Sequence, residues 1–398
     1  MVLLLYKEAV MILSSILDND FYKFTMQHCV IKLFPKARAR YKFINRGKHA
    51  YPPGFADALR EAVNSMRQLQ LSQEEKEFLA VTCPYLDPTY LDFLQGYRYD
   101  PAEIHIVQHG ENLEVHADGY WYRTILWEVP LMALICELYY QLTGQQRVAD
   151  NVVADITRAK IESYKELGIT IADFGTRRRH SLDVQRLVVQ TLREYGEGCF
   201  IGTSNVHLAM RSGVKPVGTH AHEWFMFHGA KYGFKMANML GLEHWVQVYR
   251  GDLGIALSDT YTTPVFFEQF DKKFAKLFDG VRHDSGDPLL FADHTIAHYQ
   301  SKGVDPLSKT IIFSDGLNYE KVAAIAAHCR GRIGMSFGIG TNFTNDVGLT
   351  PLNIVIKMYE ARPEDAPRWT PVVKLSDEKG KYTGDEKMIV LAKEMLQI

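Results

Sequence analysis

The segment Gly218–Glu223, GTHAHE, carries two histidines two residues apart and a carboxylate beside the second. On an extended chain, residues i and i+2 point the same way, so His220 and His222 suit a shared metal ion. An imidazole is also a nucleophile able to accept a phosphoryl group, with Glu223 orienting or activating its ring. A buried structural histidine is the third use, and spacing does not choose among the three. RHDSGDP (Arg282–Pro288) places Asp284 and Asp287 three residues apart beside a cation. Such carboxylates hold Mg²⁺ or ribose hydroxyls, or they cap turns and helices. Asp252 and Asp259 bracket a further run, DLGIALSD.

DFGTRRR presents three consecutive guanidiniums, Arg177, Arg178 and Arg179, after a strand-like run. Arginine forks match phosphate and carboxylate oxygens in bidentate geometry. Phe174 then stands at the edge of the same loop, able to stack on a flat aromatic ligand. SDGLN (Ser314–Asn318) and FGIGT (Phe337–Thr341) are glycine-bearing turns late in the chain. Their small residues let backbone amides approach a phosphate closely, although either turn alone serves packing equally well.

These segments need elements to position them. Ile169–Phe174 reads as a strand, Ser181 as an N-cap, and Val184, Leu187, Val188, Leu192 and Tyr195 as a helical face that stops at Gly196. KTIIFSDGLNYEKVAAIAAHCRGRIGMSFGIGT reads as strand, tight loop, Asn318-capped helix and strand. Further strand candidates fall at Cys199–Thr203, Lys215–Thr219, Leu253–Ser258, Gly280–His283 and Val372–Leu375. Seven or eight strands, most with room for a helix between them, fit a barrel of repeated β/α units better than an open sheet. DFGTRRR, GTSN, GTHAHE, RHDSGDP, FSDGLN and SFGIGT all follow predicted strands. In parallel α/β folds those strand ends form the active-site face, which points to an enzyme.

Composition sets the frame. The 398 residues carry 45 basic and 47 acidic side chains, a formal charge of −2. No global field draws nucleic acid or an anionic membrane, so any anion is captured locally. Five scattered cysteines without a CxxC pair read as free thiols of a cytoplasmic protein. The apolar start MVLLLYKEAVMILSSIL is interrupted by Lys7 and Glu8 and lacks a cleavage site. It reads as a packed terminal helix or a start-site artefact. No uninterrupted run of about 18 apolar residues suggests a membrane span. Residues 1–125 are aromatic-rich and irregular, and the β/α alternation begins near residue 126.

Taken together and in order, LDNDFYKFTMQ (Leu17–Gln27), ILWEVPL, DFGTRRRHS, FIGTSN, GTHAHEW, LGIALSDT, RHDSGDP, SFGIGT, PLNIVIK and VVKLSD resemble the nicotinate phosphoribosyltransferase family of type II phosphoribosyltransferases. The resemblance implies an irregular TIM-like α/β barrel (126–350) joined to an α/β domain built from 1–125 and completed by 351–398. It implies synthesis of nicotinate mononucleotide from nicotinate and phosphoribosyl pyrophosphate, with ATP as co-substrate, Mg²⁺ as cofactor and a transient phosphohistidine at His222. Family members of this kind are homodimers, which implies that Tyr22 is donated across the interface to sandwich the pyridine ring with Phe174. Arg177 is implied near the nicotinate or phosphate groups, Asp284 at the ribose or metal, and Ser314, Asp315, Gly316, Gly338, Gly340 and Thr341 around the 5′-phosphate. Arg282, Thr203 and Ser204 belong to the same implied substrate site. His220 lies outside the required pattern.

Relatives that use nicotinamide carry an acid directly after the GT of the GTSN-like segment, where this chain has Ser204. Serine donates to a carboxylate, whereas an acid accepts from an amide and repels a carboxylate, so nicotinate is favoured over nicotinamide. A metal-dependent hydrolase built on His220 and His222, and a non-catalytic nucleotide sensor, are the more remote alternatives.

Overall fold

The structure is a computed structural model that describes residues 12–364, 366–378 and 380–398. The apolar N-terminal start lies largely outside the described residues. In its described part, Leu13, Ile16 and Leu17 are buried in the core.

Three early strands, β1 (Arg38–Asn45), β2 (Ile104–His109) and β3 (Asn112–Tyr120), belong to one antiparallel sheet. Along β3 the burial alternates strictly from residue to residue, the mark of a sheet with one face on the core. Seven short strands form a second, parallel sheet: β4 (Thr170–Asp173), β5 (Phe200–Thr203), β6 (Lys215–Pro216), β7 (Ile255–Leu257), β8 (Gly280–His283), β9 (Thr310–Phe313) and β10 (Gly334–Ile339). The chain then returns to the first sheet with β11 (Ile354–Arg362), which pairs along β1 from Asn45↔Ile354 to Arg38↔Arg362, and with β12 (Thr370–Pro371). Sequence from both ends of the chain is thus knitted into one sheet, in the order β12-β11-β1-β3-β2.

The parallel sheet runs β6-β5-β4-β10-β9-β8-β7 and curls into a half-barrel. Among the described residues no ladder joins β6 to β7. The gap is spanned by a side chain, Thr219 Oγ1 donating to the Ile255 carbonyl at 3.0 Å. The strand expected at Val372–Leu375 does not enter this sheet. It follows β12, and only Lys374 pairs, in an isolated bridge with Thr383.

Local signals act as their chemistry requires. Ser181 caps the helix Leu182–Tyr195 by accepting from Val184 N at 3.3 Å, and Asn318 caps Tyr319–Cys329 by accepting from Lys321 N at 3.1 Å. The helical stretch Trp121–Thr143 is long and apolar enough to cross a membrane by composition, but most of it is buried inside the protein. Its second part, Glu128–Thr143, packs on β11 and on the turn Thr176–Arg178. It is therefore a core helix that joins the two sheets. All five cysteines are buried and unpaired.

Candidate active site

The C-terminal ends of the parallel strands open into a cavity of about 880 Å³, a size suited to small-molecule ligands. Tyr22, Phe174, Arg177, Ser204, His222 and Glu223 line it, together with Arg282, Asp284, Ser314, Asp315, Gly316, Gly338, Gly340 and Thr341. Of the residues expected at a substrate site, Thr203 alone is absent from the wall. Its hydroxyl donates to Asp173 Oδ2 at 2.7 Å and accepts from Asn205 N at 3.1 Å, fully buried. Thr203 therefore braces the DFGT loop and does not line the cavity. The same Asp173 accepts from Gly175 N at 2.8 Å and Gln185 Nε2 at 2.8 Å. Burial pushes its carboxyl up to about 6 despite those donors.

One end of the cavity is aromatic and cationic. The start of helix Phe21–Leu33 docks on the strand ends: Phe21 N donates to the Ser204 carbonyl at 2.7 Å, and Thr25 Oγ1 to the Thr219 carbonyl at 2.5 Å. Gly218 makes this approach possible, with φ at +146° and an added Cβ only 3.2 Å from Tyr22 N. Tyr22 thereby lines the cavity of its own chain. Phe174 lies over Gly338, where an added Cβ would fall 2.2 Å from the ring. Gly338 thus leaves room for the Phe174 ring, and it also lines the cavity. Gly316, by contrast, holds a left-handed turn at φ +54°, and Gly340 and Thr341 stand at the mouth of the following short helix.

The three arginines part company. Arg177 faces the cavity, loosely held 3.8 Å from Asp20 Oδ2 and 3.5 Å from Glu128 Oε1, its side chain 42% exposed. Arg178 also lines the cavity. Arg179 is fully buried in a bidentate pair with Asp18, at 2.6 and 2.7 Å, and does not line the cavity. Ser204 does not aim its proton at the cavity either. Its hydroxyl donates to Asp20 Oδ1 at 2.7 Å. Burial raises the Asp20 carboxyl, against the pull of Arg177 and Ser204.

The other end is built around His222. Its Nδ1 lies 3.0 Å from Thr260 Oγ1, while Nε2 lies 3.0 Å from Asp284 Oδ2 and 2.9 Å from Lys374 Nζ. Asp259 Oδ1 is 3.8 Å from the same nitrogen. Burial, and then the Lys374 ammonium, pull the imidazole down to about 4, which leaves it neutral and nucleophilic near neutral pH. Burial works against the charge of Asp284, yet Arg282 and His222 hold its carboxyl well below the usual range. Arg282 Nη2 stands 3.4 Å from Asp284 Oδ1, Ser314 Oγ donates to the same oxygen at 2.7 Å, and Asp315 is engaged by Lys381 at 3.1 Å.

One expectation changes here, and two open readings are decided. Glu223 does not orient His222, because its carboxylate turns away to Lys23 at 2.8 Å. The ring-orienting groups are Thr260, Asp284 and Lys374, the last from the C-terminal segment. Asp287 is a helix cap, accepting from Leu289 N and Leu290 N. His220 is packed edge-on between Phe225 and Trp245, fully buried, with neither ring nitrogen bonded among the described residues. The HxH pair therefore does not converge on a metal. Asp259 and Thr260 beside His222, and Lys357 and Lys374 on the cavity wall, are positions that pattern reasoning left without a role or held loosely. Lys357 and Lys374 fall inside the PLNIVIK and VVKLSD segments, but nothing local to those segments turns a lysine towards the site.

An α/β half-barrel whose strand ends gather a ring-binding end, a cationic wall and a neutral histidine defines an enzyme for a flat aromatic, multiply anionic substrate pair. Comparison with known proteins agrees. Residues 17–136 match the nicotinate phosphoribosyltransferase (NAPRTase) N-terminal domain, and residues 169–398 match the nicotinate phosphoribosyltransferase (NAPRTase) family. Nicotinate phosphoribosyltransferase of Chromohalobacter salexigens is 68% identical over 386 residues, 97% of this chain and 99% of that one. The enzyme of Desulforapulum autotrophicum is 49% identical over 94% of this chain and 96% of its own. The crystal structure of nicotinate phosphoribosyltransferase from Porphyromonas gingivalis superposes with a TM-score of 0.95 at 46% identity, covering 97% of this chain and all of that one. The chain belongs to the nicotinate phosphoribosyltransferase family.

Proposed function

We propose that the protein makes nicotinate mononucleotide and pyrophosphate from nicotinate and phosphoribosyl pyrophosphate, coupled to hydrolysis of ATP to ADP and phosphate, in NAD biosynthesis. The observation that carries this reading is one cavity whose walls His222 shares with Tyr22, Phe174 and Arg177. In the phosphoryl step an N–P bond forms at the imidazole as the β–γ P–O bond of ATP breaks and ADP leaves. Water later cleaves the N–P bond, returning the imidazole and inorganic phosphate. Lys374 and Arg282 supply positive charge where phosphoryl oxygens gather, and Asp284 fixes the ring.

In the glycosyl step the pyridine nitrogen attacks C1′ as the C–O bond to pyrophosphate breaks. Tyr22 and Phe174 offer flat faces for the pyridine ring, and Arg177 offers a fork for its carboxylate or a neighbouring phosphate. Holding both reactants in line and neutralising the departing pyrophosphate are the protein's main contributions. The Gly316 turn and the Gly340–Thr341 turn fit the 5′-phosphate.

Mg²⁺ fits the His222 end. One oxygen each of Asp259 and Asp284 lies with a His222 nitrogen within 4.8 Å of one another, and Asp259 Oδ1 has no hydrogen-bond partner among the described residues. Asp284 and Asp259 would hold the ion, which supplies positive charge to phosphate oxygens. A hydrolytic metal centre on His220 and His222 has no support, given the packing of His220. A homodimer in the cytoplasm belongs to the same reading, and sedimentation checks the assembly.

The test is to incubate the purified protein with nicotinate, phosphoribosyl pyrophosphate, Mg²⁺ and ATP, omitting each in turn, with nicotinamide in parallel. Nicotinate mononucleotide formed faster with ATP, and no product from nicotinamide, is the expected result. Equal use of nicotinamide would overturn the substrate assignment.

A further inference from the structure

The ring-binding end of the cavity contains a carboxylate that the two reaction steps leave unused. Asp20 is only 2% exposed, yet it lines the cavity with Tyr22 and Arg177. Its backbone is pinned on both sides. Asp20 N donates to Asn19 Oδ1 at 2.9 Å, and Phe21 N donates to the Ser204 carbonyl at 2.7 Å. The side chain accepts from Ser204 Oγ at 2.7 Å through Oδ1, while Oδ2 lies 3.8 Å from Arg177 Nε. Asp20 therefore has one neutral donor and one loosely held cation.

The other titratable groups that face it are already engaged. Arg179 is paired with Asp18, and Asp173 accepts from Gly175 N, Gln185 Nε2 and Thr203 Oγ1 without lining the cavity. The neighbouring Tyr22 phenol stays neutral, since burial pushes it up. Glu128 meets Arg177 at 3.5 Å, but its second oxygen lies 2.5 Å from the Lys23 ammonium. An anionic ligand seated on the Arg177 fork would be the third carboxylate around one guanidinium. Like charges so close cannot all ionise, so one of the three must take a proton. Glu128 keeps a close cation of its own. Asp20 has none, and its pinned backbone does not let it withdraw. Once protonated, Asp20 retains the Ser204 contact at Oδ1 and becomes a donor at Oδ2. Burial already raises this carboxyl.

We infer that Asp20 is a specificity-determining residue that takes one proton from solvent as nicotinate binds, donates it from Oδ2 to the ligand's carboxylate, and returns it when nicotinate mononucleotide leaves. This rests on the nicotinate reading above, with the substrate carboxylate on Arg177. The simpler role, a strut between Ser204 and Arg177, links no proton to the ligand.

The experiment measures KM for nicotinate from about pH 6 to about pH 9, a range over which nicotinate keeps its charge. Phosphoribosyl pyrophosphate and ATP are saturating, and the proteins are the wild type, Asp20→Asn and Ser204→Ala. The complex holds one proton more than the free enzyme, so affinity falls as pH rises, by up to about tenfold per unit above the point where free Asp20 ionises. The wild-type KM therefore climbs with pH towards that slope. Asparagine keeps the shape and brings its own N–H, so Asp20→Asn gives a KM flat with pH. Ser204→Ala removes a donor that favours the ionised carboxylate, so its climb begins at higher pH. A wild-type KM flat over the whole range overturns the inference. So does a climb of the same slope in Asp20→Asn, which would belong to another group such as Lys357. An unmoved profile in Ser204→Ala also counts against it, whether or not Asp20→Asn folds. A wild type that makes no mononucleotide from nicotinate at any pH refutes the nicotinate reading itself, independently of the variants.

Discussion

Gly338→Ala separates two uses of the FGIGT segment. The new Cβ would sit 2.2 and 2.3 Å from Cδ2 and Cε2 of Phe174. Carbon atoms in good contact lie about 3.5–4.0 Å apart, so the ring must retreat by roughly 1.3 Å or more. The Phe174 backbone cannot follow, because its N–H donates to the Ile339 carbonyl at 2.8 Å and its neighbour Gly175 is tied to Asp173. The side chain must therefore swing from its place. Overpacking of this kind costs about 1–3 kcal/mol, and a lost aromatic stack about 0.5–1.5 kcal/mol. If Phe174 meets the pyridine ring, a loss of one or two kcal/mol raises KM for nicotinate roughly 5- to 30-fold. KM for phosphoribosyl pyrophosphate stays within about twofold, because no phosphate contact is touched. Initial rates with each substrate varied at saturation of the other give both constants. Adding Phe174→Ala to the alanine variant should bring little further loss, since both changes remove the same contact. A rise in KM for phosphoribosyl pyrophosphate with nicotinate unaffected would refute the reasoning and restore the phosphate role to Gly338.

Three further outcomes are expected. Asp18→Asn leaves the Arg179 guanidinium buried without its counter-ion, which lowers stability by about 3–5 kcal/mol in denaturant titration; a loss under about 1 kcal/mol contradicts the pairing. Lys357, on the cavity wall, is pulled down to about 8 by burial and then by Lys374, with Arg177 and Arg46 adding and Glu128 opposing. Its cation is present below that pH and lost above it, so KM for phosphoribosyl pyrophosphate rises above about pH 8, and Lys357→Arg abolishes the rise; an unchanged profile in the arginine variant counts against Lys357. Ser204→Asp sets a second carboxylate against Asp20, which now accepts from Ser204 at 2.7 Å. Like charges so close cannot both ionise, and KM for nicotinate rises about tenfold or more as the anionic ring is repelled; an unaltered KM shows that position 204 does not discriminate.

Much of the architecture was legible because it is written in local chemistry. Short aliphatic runs separated by helical faces give parallel strands, and Ser181 and Asn318 cap helices through contacts made within a few residues. The loops at strand ends were found for the same reason, since a strand fixes where its successor loop must lie. What one short segment does not contain is which way a side chain turns once distant elements pack against it. Arg177 and Arg179 are two residues apart, yet Asp18 captures one and leaves the other to the cavity. Glu223 is adjacent to His222, but Lys23, 200 residues away, draws it off. Lys374 reaches His222 across 152 residues because β11 returns the chain to β1 before the C-terminal segment passes the barrel mouth. The sequence alone determined which chemistries are available and on which loops. The tertiary structure decided which groups share charge, because electrostatic partnership depends on distance through space in a dry interior, and sequence separation does not measure that distance.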